Sequence, residues 1–523
     1  MRFQRTLALL GVGLLWLAIG PWVVPAALAT LLVPGVRAWL RPTWRVVAAV
    51  GAAVLALTGL VVLVPDGWLP MPPGPGALVT PGYVGRPAAV RPLQVDVPQH
   101  PHLAPVGRGS VRGDAGGSGT FPWAGPLGES PEVDTSWLGL EECPGLAADS
   151  HDRLVALCSD RNGPVLHVID PDSMNPVATK QLPAGKAPDD RCARDFHLDE
   201  EDRVVLATRD RRVLVVATAD ADGDPDLTTE ASYDLSDRVP DDDCLVGLLP
   251  DWDGSLWWST RQGRVGTVDP ASGHTRSLDL GQRITTPFAV GRTGAYVVTD
   301  EALYRLVADP SGRPRVAWQT AYDRGSEQKS GQPSQGSGSS PTLLPGGLVA
   351  ITDNADPRMH VQFYDTGSGD LVCEAAVFGD DESATGSSLV SVGTGVVVEN
   401  NHGYGGPLST VLGRTSDGGI ARVDVVGGTC TVRWTSDQVA PSSAPRLSLA
   451  TGLLYAWTKP HSWWGADAWY LTALDVRTGR RVFAVRTGLG MLRNDDHAAI
   501  TLTRDGSAYV GTRGGLVRVR DRS

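Results

Sequence analysis

Residues 253–273 read DGSLWWSTRQGRVGTVDPASG, and this stretch contains the unit that decides the fold. An Asp-Gly turn signal precedes a short run of aromatic and branched side chains. A second run, ending at Val268, leads into Asp-Pro-Ala-Ser-Gly. Runs of about five such residues between turn signals are typical of β-strands. The same unit returns as DGSAYVGT at residues 505–512, and residues 471–483 (LTALDVRTGRRVF) hold its second half.

These units recur at a period of about 40 to 50 residues, which is typical of a β-propeller. Inner strands can be counted near residues 144, 193, 245, 285, 341, 387, 446 and 497. We therefore predict an all-β fold, a β-propeller of eight blades over residues 133–523, with seven blades as the alternative. The last unit has room for only three strands. A segment near residues 133–141 is expected to supply the fourth and close the ring, because closure removes exposed sheet edges.

Residues 473–479 (ALDVRTG), followed by Phe483, resemble the PQQ-type propeller repeat, whose signature is roughly ALDxxTGxxxW. Weaker copies are TVDPASG at 267–273 and YDTGSG at 364–369. The resemblance implies a relation to quinoprotein dehydrogenases and to BamB-like assembly scaffolds, commonly eight-bladed. The dehydrogenases of that family show a vicinal cysteine pair and a calcium-coordinating Glu/Asn/Asp set. No two cysteines are adjacent in this sequence, so the quinone PQQ is not expected as a cofactor.

The N-terminal region differs from the rest in composition. Residues 7–33 and 46–64 carry no charged side chain, and about 20 apolar residues cross a bilayer. We predict a membrane anchor over residues 1–65, with two transmembrane helices in contact with the lipid bilayer. Arg37 and Arg45 favour a cytoplasmic connection between them. The predicted location is the cell membrane, as a multi-pass protein with its C-terminal domain outside the cytoplasm. Residues 66–132 are rich in proline and glycine and are predicted to form a disordered linker.

The six cysteines are scattered, and none belongs to a CxxC pair. An even number of scattered cysteines is typical of disulfides in an oxidising compartment; six reduced core cysteines are the alternative. Their places in the repeats predict three pairs: one on neighbouring strands of the first blade, one at equivalent positions of adjacent blades, and one between fourth strands of adjacent blades. These pairs are Cys143–Cys158, Cys192–Cys244 and Cys373–Cys430. The net charge of −12 excludes a nucleic-acid partner, which requires a basic surface.

Polar loops are expected to gather on one face of the ring. In a propeller, the connection between the second and third strands of a blade lies on the same face as the connection to the next blade. The first kind includes DNADPR (353–358), ENNHGYGGP (399–407) and HSWW (461–464). The second kind includes PDDRC (188–192), PDDDC (240–244) and RNDDH (493–497). The predicted ligand-binding residues are Asp353, Asn354, Asp356, Arg358, Glu399, Asn400, Asn401, His402, Tyr404, His461, Trp463, Trp464, Asn494 and Asp495.

Loops on a rigid scaffold commonly carry function, although polar residues that only cap strand ends would give the same pattern. The function predicted is a non-catalytic binding or scaffold module for a protein, peptide, glycan or small molecule. The alternative is an envelope enzyme of the hydrolase or lyase type. In that case His402 would act as the general acid or base, with Glu399 or Asp356 as its partner and Arg358 stabilising an anion.

One further segment raises the question of a metal. Asp220, Asp222, Asp224 and Asp226 alternate along a hairpin loop, as carboxylates do in calcium loops. The segment departs from the EF-hand pattern, with glycine at the fourth position and proline at the sixth. An acidic, solvated turn is the other interpretation, and no other cofactor is expected.

Overall fold

The computed structural model of the chain describes residues 2–40, 44–160, 163–185 and 192–522. The N-terminal region is helical and is followed by strands. Its helices are α1 (Arg2–Ile19), α2 (Val23–Thr30), α3 (Pro34–Leu40) and α4 (Trp44–Leu63). The C-terminal end of α1 is hydrogen-bonded to a later segment, since the N–H groups of Gly76 and Leu78 donate to the carbonyl oxygens of Leu17 and Ala18, both at 2.8 Å.

The prediction of two transmembrane helices is wrong. The first predicted span is divided between α1 and α2, because Gly20 has a φ of 117° and Pro21 has no N–H to continue a helix. Crossing a bilayer takes about 20 consecutive apolar residues. Helix α1 has 18 residues and includes Arg5, while α4 has 20 and includes Arg45. Within the described residues, no helix has both the length and the apolar character that a bilayer crossing requires. The predicted multi-pass location in the cell membrane is therefore wrong as well.

The strands of the described chain form eight sheets arranged as the blades of a propeller. The strands before the first blade are β1 (Tyr83–Gly85), β2 (Thr120–Phe121) and β3 (Pro131–Trp137). Blade 1 consists of β4 (Glu142–Ala148), β5 (Leu154–Asp160), β6 (Gly163–Ile169) and β7 (Pro176–Gln181), and blade 2 of β8 (Phe196–Leu198), β9 (Val204–Ala207), β10 (Arg212–Val216) and β11 (Thr229–Asp234). Blade 3 consists of β12 (Leu245–Pro250), β13 (Leu256–Thr260), β14 (Arg264–Val268) and β15 (Thr275–Asp279), and blade 4 of β16 (Ala289–Gly291), β17 (Gly294–Val298), β18 (Ala302–Ala308) and β19 (Pro314–Ala321).

Blade 5 consists of β20 (Thr342–Leu344), β21 (Leu348–Thr352), β22 (His360–Asp365) and β23 (Leu371–Ala376), and blade 6 of β24 (Val390–Val392), β25 (Gly395–Glu399), β26 (Ile420–Val426) and β27 (Thr429–Ser436). Blade 7 consists of β28 (Arg446–Ser448), β29 (Leu453–Thr458), β30 (Ala468–Asp475) and β31 (Arg481–Leu489), and blade 8 of β32 (Ile500–Leu502), β33 (Ala508–Thr512), β34 (Gly515–Asp521) and the early strand β3. Short 3-10 helices lie at Pro407–Thr410 and Met491–Arg493. The predicted eight-bladed, all-β propeller is confirmed.

Turn chemistry explains why the strands begin and end where they do. In the Asp-Gly unit, Asp251 Oδ1 accepts the N–H groups of Asp253 and Ser255 at 3.0 and 2.9 Å, and Gly254 has a φ of 92°. In the Asp-Pro-Ala-Ser-Gly unit, the Gly273 N–H donates to the carbonyl oxygen of Asp269 at 2.8 Å. Aspartate that binds its own turn and glycine at positive φ are the preferred residues for such positions. The local sequence therefore sets each hairpin.

Blade 8 is completed by the early strand β3. It pairs antiparallel with β34, with Val133 opposite Val519. The order of that sheet is β3-β34-β33-β32, so the ring is closed by a strand from the N-terminal side, as expected. The structure also contains the three predicted disulfides, Cys143–Cys158, Cys192–Cys244 and Cys373–Cys430.

Residues 66–132 differ from the predicted disordered linker, because much of this segment lies on or inside the propeller. Strand β1 pairs with β31 at the outer edge of blade 7. Residues 103–121, here called the axial segment, enter the centre of the ring. Backbone hydrogen bonds of 2.7–3.0 Å join them to the inner strands of blades 2, 4, 5, 6 and 7. Those strands offer free N–H and C=O groups to the channel, and a buried backbone group must find a partner.

Small residues let the axial segment fold back within the channel. Ser110 and Gly113 form an antiparallel bridge, and the segment then returns as β2, parallel to β28. A Cβ on Gly113 would lie 2.8 Å from the Thr120 carbonyl oxygen, so a larger residue would obstruct this return. The turn between the two arms consists of Val111 and Arg112, both buried. It forms a floor across the central channel.

Candidate functional site

The predicted polar loops share one face, called here the loop-rich face. Contacts between them show their proximity: the Tyr404 hydroxyl donates to Asn494 Oδ1 at 3.1 Å and to Asp496 Oδ1 at 2.8 Å. This joins the ENNHGYGGP loop of blade 6 to the connection between blades 7 and 8. Residues 188–191 of the PDDRC motif lie outside the described residues.

A funnel opens at the centre of this face and leads to a cavity on the ring axis. The mouth of the funnel has a volume of about 580 Å³ and is lined by residues 328–332 and 404–406, with Arg194, Asp496 and His497. Below it lies the axial cavity of about 210 Å³. Arg194, Gly331 and His497 line both spaces, so the two adjoin each other. Val111 and Arg112 of the axial segment close the cavity from below.

The walls of the axial cavity come from the starts of the inner strands and the loops before them. Its lining combines charged and hydroxyl side chains with many small residues, so side chains leave space near the axis. Beyond Val111, Arg112, Arg194, Gly331 and His497, the lining residues that bear on the chemistry are Asp195, Thr286, Ser340, Ser387, Ser388 and Arg446.

The predicted amide residues are buried and hold loops in place. Asn401 Oδ1 accepts the Gly386 N–H at 2.7 Å, while Nδ2 donates to Glu399 Oε1 at 3.0 Å and to the Pro441 carbonyl oxygen at 3.1 Å. Asn400 Nδ2 donates to the carbonyl oxygen of Glu382 at 2.7 Å. Of the predicted ligand-binding residues, Tyr404 lines the funnel, whereas Asn400 and Asn401 shape the loops around it.

Asn354 organises the segment that forms one side of the mouth. Its Nδ2 donates to the carbonyl oxygens of Arg324 and Glu327 at 2.8 Å and of Gln335 at 3.1 Å. The Gly- and Ser-rich stretch 325–340 is therefore an ordered loop, although its composition suggests flexibility. Asp353 is also buried, and its Oδ2 contacts His360 Nδ1 at 2.8 Å.

The proposed catalytic set does not converge. His402 Nδ1 contacts Asp417 Oδ2 at 2.6 Å, whereas Arg358 forms an ion pair with Asp380. Asp356 Oδ2 accepts the Ser326 N–H at 2.7 Å. Glu399 is buried with Asn401. Among the described contacts, neither predicted carboxylate partner hydrogen-bonds His402.

HSWW lies at the edge of the face. His461 and Trp463 stack edge-on with ring centroids 4.7 Å apart, and Trp463 is 87% exposed. None of His461, Trp463 and Trp464 lines the funnel. Trp464 instead lies near the end of α1, where a Cβ on Gly20 would be 3.3 Å from the Trp464 carbonyl oxygen.

Two buried carboxyl groups lie behind the cavity wall. Burial, together with the nearby Asp495, raises the pKa of Glu399 to about 8, against hydrogen bonds from Asn401 and Ser387. Burial also raises the pKa of Asp495 to about 7, against the hydrogen bond that the Ser442 hydroxyl donates at 2.6 Å. Ser387 itself lines the axial cavity, so Glu399 lies directly behind that wall.

The cavity contains residues that the sequence analysis did not single out. Arg112 belongs to the segment interpreted as a linker, and Arg446 begins the inner strand of blade 7. One signal was available: Arg446 is a charged residue at the start of a strand expected to be buried. No periodic pattern marks Arg112, since its position depends on contacts with distant blades.

Metal ligands were also predicted, at Asp220, Asp222, Asp224 and Asp226. These residues lie in the β10–β11 connection, on the face opposite the loop-rich one, and Asp220 Oδ1 accepts the N–H groups of Asp222 and Asp224 at 2.9 and 3.0 Å. Two other groups bring potential ligand atoms together: Asp353, His360 and Glu374, and Glu141, Cys158 and His167. In the second group the sulfur of Cys158 belongs to a disulfide, so no thiolate is available.

The chain is a β-propeller by its strand order. No protein-family model matches the chain. An uncharacterised protein of Archaeoglobus fulgidus is 27% identical over 315 residues, which are 53% of this chain and 60% of the relative. The chain thus spans about 60% of the length of that curated relative.

Several solved structures are similar to the chain at low sequence identity. BamB from Moraxella catarrhalis is 16% identical, with 61% of this chain and 90% of that chain covered and a TM-score of 0.35. A streptogramin B lyase is 10% identical, with 75% and 98% covered and a TM-score of 0.39. Sqt1 of Chaetomium thermophilum is 13% identical, with 73% and 95% covered and a TM-score of 0.49.

Proposed function

We propose that this protein is a binding module that holds its ligand in the funnel and axial cavity of the loop-rich face, without chemical change to the ligand. One observation carries the proposal: the funnel adjoins a cavity that the axial segment closes from below. Ligand sites are typically concave spaces with a few convergent polar groups. The ligand is a small molecule, or the projecting end of a larger one, because the cavity of about 210 Å³ admits only a small group.

Binding is favoured over catalysis because the rim side chains already have structural partners. The amides of Asn354 and Asn401 are used to hold loops. His402 pairs with Asp417 and does not line the funnel. General acid–base catalysis requires such a group within hydrogen-bond reach of the substrate. The three disulfides support folding in an oxidising compartment.

Substitution of a single glycine can block the mouth of the funnel. Gly405 lines it, lies outside the left-handed region, and a Cβ added there meets no atom within 4 Å. The matched control is Gly82, which is also exposed, free of positive φ and open to a Cβ. Gly82 lies just before β1, at the outer edge of blade 7.

The test is a crystallographic fragment soak of the full chain, repeated on Gly405→Trp and Gly82→Trp. We expect fragments to occupy the funnel in the natural chain and in Gly82→Trp, and to be lost from it in Gly405→Trp. A funnel that accepts no fragment, while fragments bind elsewhere, would contradict the proposal. Unchanged occupancy in Gly405→Trp would also contradict it.

A further inference from the structure

Two buried guanidinium groups lie at the axial cavity. Arg112 is 6% exposed and lies in the floor, and Arg446 is 2% exposed and lies in the wall. Arg446 Nη2 donates to the carbonyl oxygen of Val111 at 3.4 Å, so the two arginines lie next to the same turn. A buried arginine normally has its donors paired, and the donors of this pair can be followed atom by atom.

Both groups keep donors without a protein acceptor. Arg112 Nη2 donates to the Phe288 carbonyl oxygen at 2.6 Å, and Arg446 Nη1 donates to the Pro445 carbonyl oxygen at 3.1 Å. Within the described residues, Nε and Nη1 of Arg112 and Nε of Arg446 are buried and have no hydrogen-bond partner. The hydroxyl of Thr286, in the same lining, is also without one. Buried donors left open in this way need an acceptor from outside the chain, such as a water or an ion.

The charge of the lining is positive although the whole chain carries −12. Arg112, Arg194 and Arg446 face the cavity with one aspartate, Asp195, whose carboxylate lies 3.7 Å from Arg112 Nη2. Burial raises the pKa of Asp195, against the attraction of Arg112. Burial and the neighbouring Arg112 lower the pKa of Arg446 to about 10, so this guanidinium remains charged at pH 7.

We propose that the axial cavity binds an oxyanion, the carboxylate or phosphate group of the ligand, through Arg112 and Arg446, with Thr286 as a further donor. The planar guanidinium presents N–H groups in a fixed fork that matches the oxygens of carboxylate and phosphate. An anion bound here would also reduce the repulsion between the positively charged guanidinium groups of Arg112 and Arg446. This inference rests on the proposed function, since it names the group that enters the same cavity.

The probes are inorganic phosphate, acetate and the uncharged acetamide, added to the full chain at constant ionic strength. We expect phosphate or acetate to raise the melting temperature, because a ligand that binds only the folded state stabilises it, and acetamide to leave it unchanged. The stronger of the two anions identifies the natural group. Equal effects of acetate and acetamide, with none from phosphate, would overturn the proposal.

Variants then assign the binding to the cavity. Arg446→Met should lower the affinity for the stronger anion at least tenfold. Arg493→Met is the matched control, because Arg493 is also buried, packs against Met71 and lies outside the cavity; its anion affinity should be unchanged. Unaltered affinity in Arg446→Met would overturn the proposal.

A further measurement does not depend on the folding of any variant. Crystals of the natural chain soaked in selenate should show an anomalous peak about 4 Å from Arg446 Nε and from the open nitrogens of Arg112, because the selenate oxygens that accept the hydrogen bonds lie between them and the selenium. A peak elsewhere, with none in the cavity, would contradict the anion site. If neutral fragments occupy the funnel while anions do not, the anion inference fails and the proposed function stands. If nothing enters the funnel, both fail.

Discussion

Arg446 and Val111 are 335 residues apart in the chain and are joined by a hydrogen bond of 3.4 Å from the guanidinium to the carbonyl oxygen. The bond connects the wall of the axial cavity, at the first strand of blade 7, to its floor. The cavity is thus shaped by two distant parts of the sequence. Substitutions that disturb either part should change the same space.

The buried amide of Asn401 should be essential for the stability of the rim. In Asn401→Ala, the Gly386 N–H and the Pro441 carbonyl oxygen, which Asn401 now binds, lose their partner. Because buried polar groups without partners are costly, we expect the free energy of unfolding to fall by about 3 kcal/mol. Denaturant unfolding measures this. The control is Gln319→Ala, an exposed change on β19, which should stay within about 0.5 kcal/mol; equal losses in the two variants would refute the role of Asn401.

Stability should decrease as the pH rises, because of Glu399. Its pKa is about 8 in the folded state, against 4.5 ordinarily, so between these values the folded protein holds a proton that the unfolded chain releases. The contribution is fully present below pH 4.5 and is lost by pH 8, with a slope of about 1.4 kcal/mol per pH unit. Glu399→Gln should remove that part of the slope in unfolding curves recorded from pH 5 to 8, leaving the part due to Asp495, whose pKa burial raises to about 7. Glu129→Gln, at an exposed position, should keep it; an unchanged slope in Glu399→Gln would contradict the assignment.

The Cys373–Cys430 disulfide should stabilise the outer edges of blades 5 and 6. It closes a loop of 57 residues between β23 and β27. Closing a loop of this length lowers the conformational entropy of the unfolded chain, which stabilises the folded state by about 4 kcal/mol. The double variant Cys373→Ser/Cys430→Ser should therefore melt earlier in calorimetry without reductant. With a reductant, the natural chain should move towards the variant. A double variant that melts with the natural chain in both conditions would show that the bond contributes nothing.

Tyr404 should fix the funnel mouth through its hydroxyl. Tyr404→Phe removes the donor to Asn494 and Asp496, and we expect a loss of about 1 kcal/mol. Hydrogen exchange should become faster over residues 494–497. Tyr233→Phe is the comparison, because the Tyr233 hydroxyl donates to Pro270 on the opposite face. If exchange over 494–497 is the same in both variants, the contact does not hold the mouth.

The sequence predicts the blades because their determinants are local. The Asp-Gly and Asp-x-x-Ser-Gly turns mark several of the hairpins, as Gly254 and Gly273 illustrate. Equivalent positions in neighbouring units then identify the pairs of cysteines. Closure by β3 follows from the missing strand of the last unit. Each of these inferences requires only the length of the repeat and the position of a residue within it.

The axial segment and the site chemistry depend on long-range contacts that no local pattern records. Glycine and serine in residues 107–119 resemble a linker, yet the inner strands supply partners for their backbone groups. For the same reason, the sequence suggests that the amides of Asn354 and Asn401 bind a ligand. In the structure they donate hydrogen bonds to carbonyl oxygens of neighbouring loops. Arg112 and Arg446 meet only after the ring has formed. The predicted membrane spans failed because the uncharged runs do not form helices of sufficient length and apolar character.

Closure by β3 has a consequence for the order in which the protein is made. This strand leaves the ribosome before any blade, yet its partner β34 follows every other strand that the structure describes. The axial segment is synthesised earlier still, and its hydrogen-bond partners lie in five blades that follow it in the chain. Nascent chains therefore carry unpaired edges until synthesis has passed residue 521, and such edges can pair with other chains. A chain truncated within blade 8 would lack the ring and a finished cavity together, so ligand binding would report directly on the synthesis of blade 8.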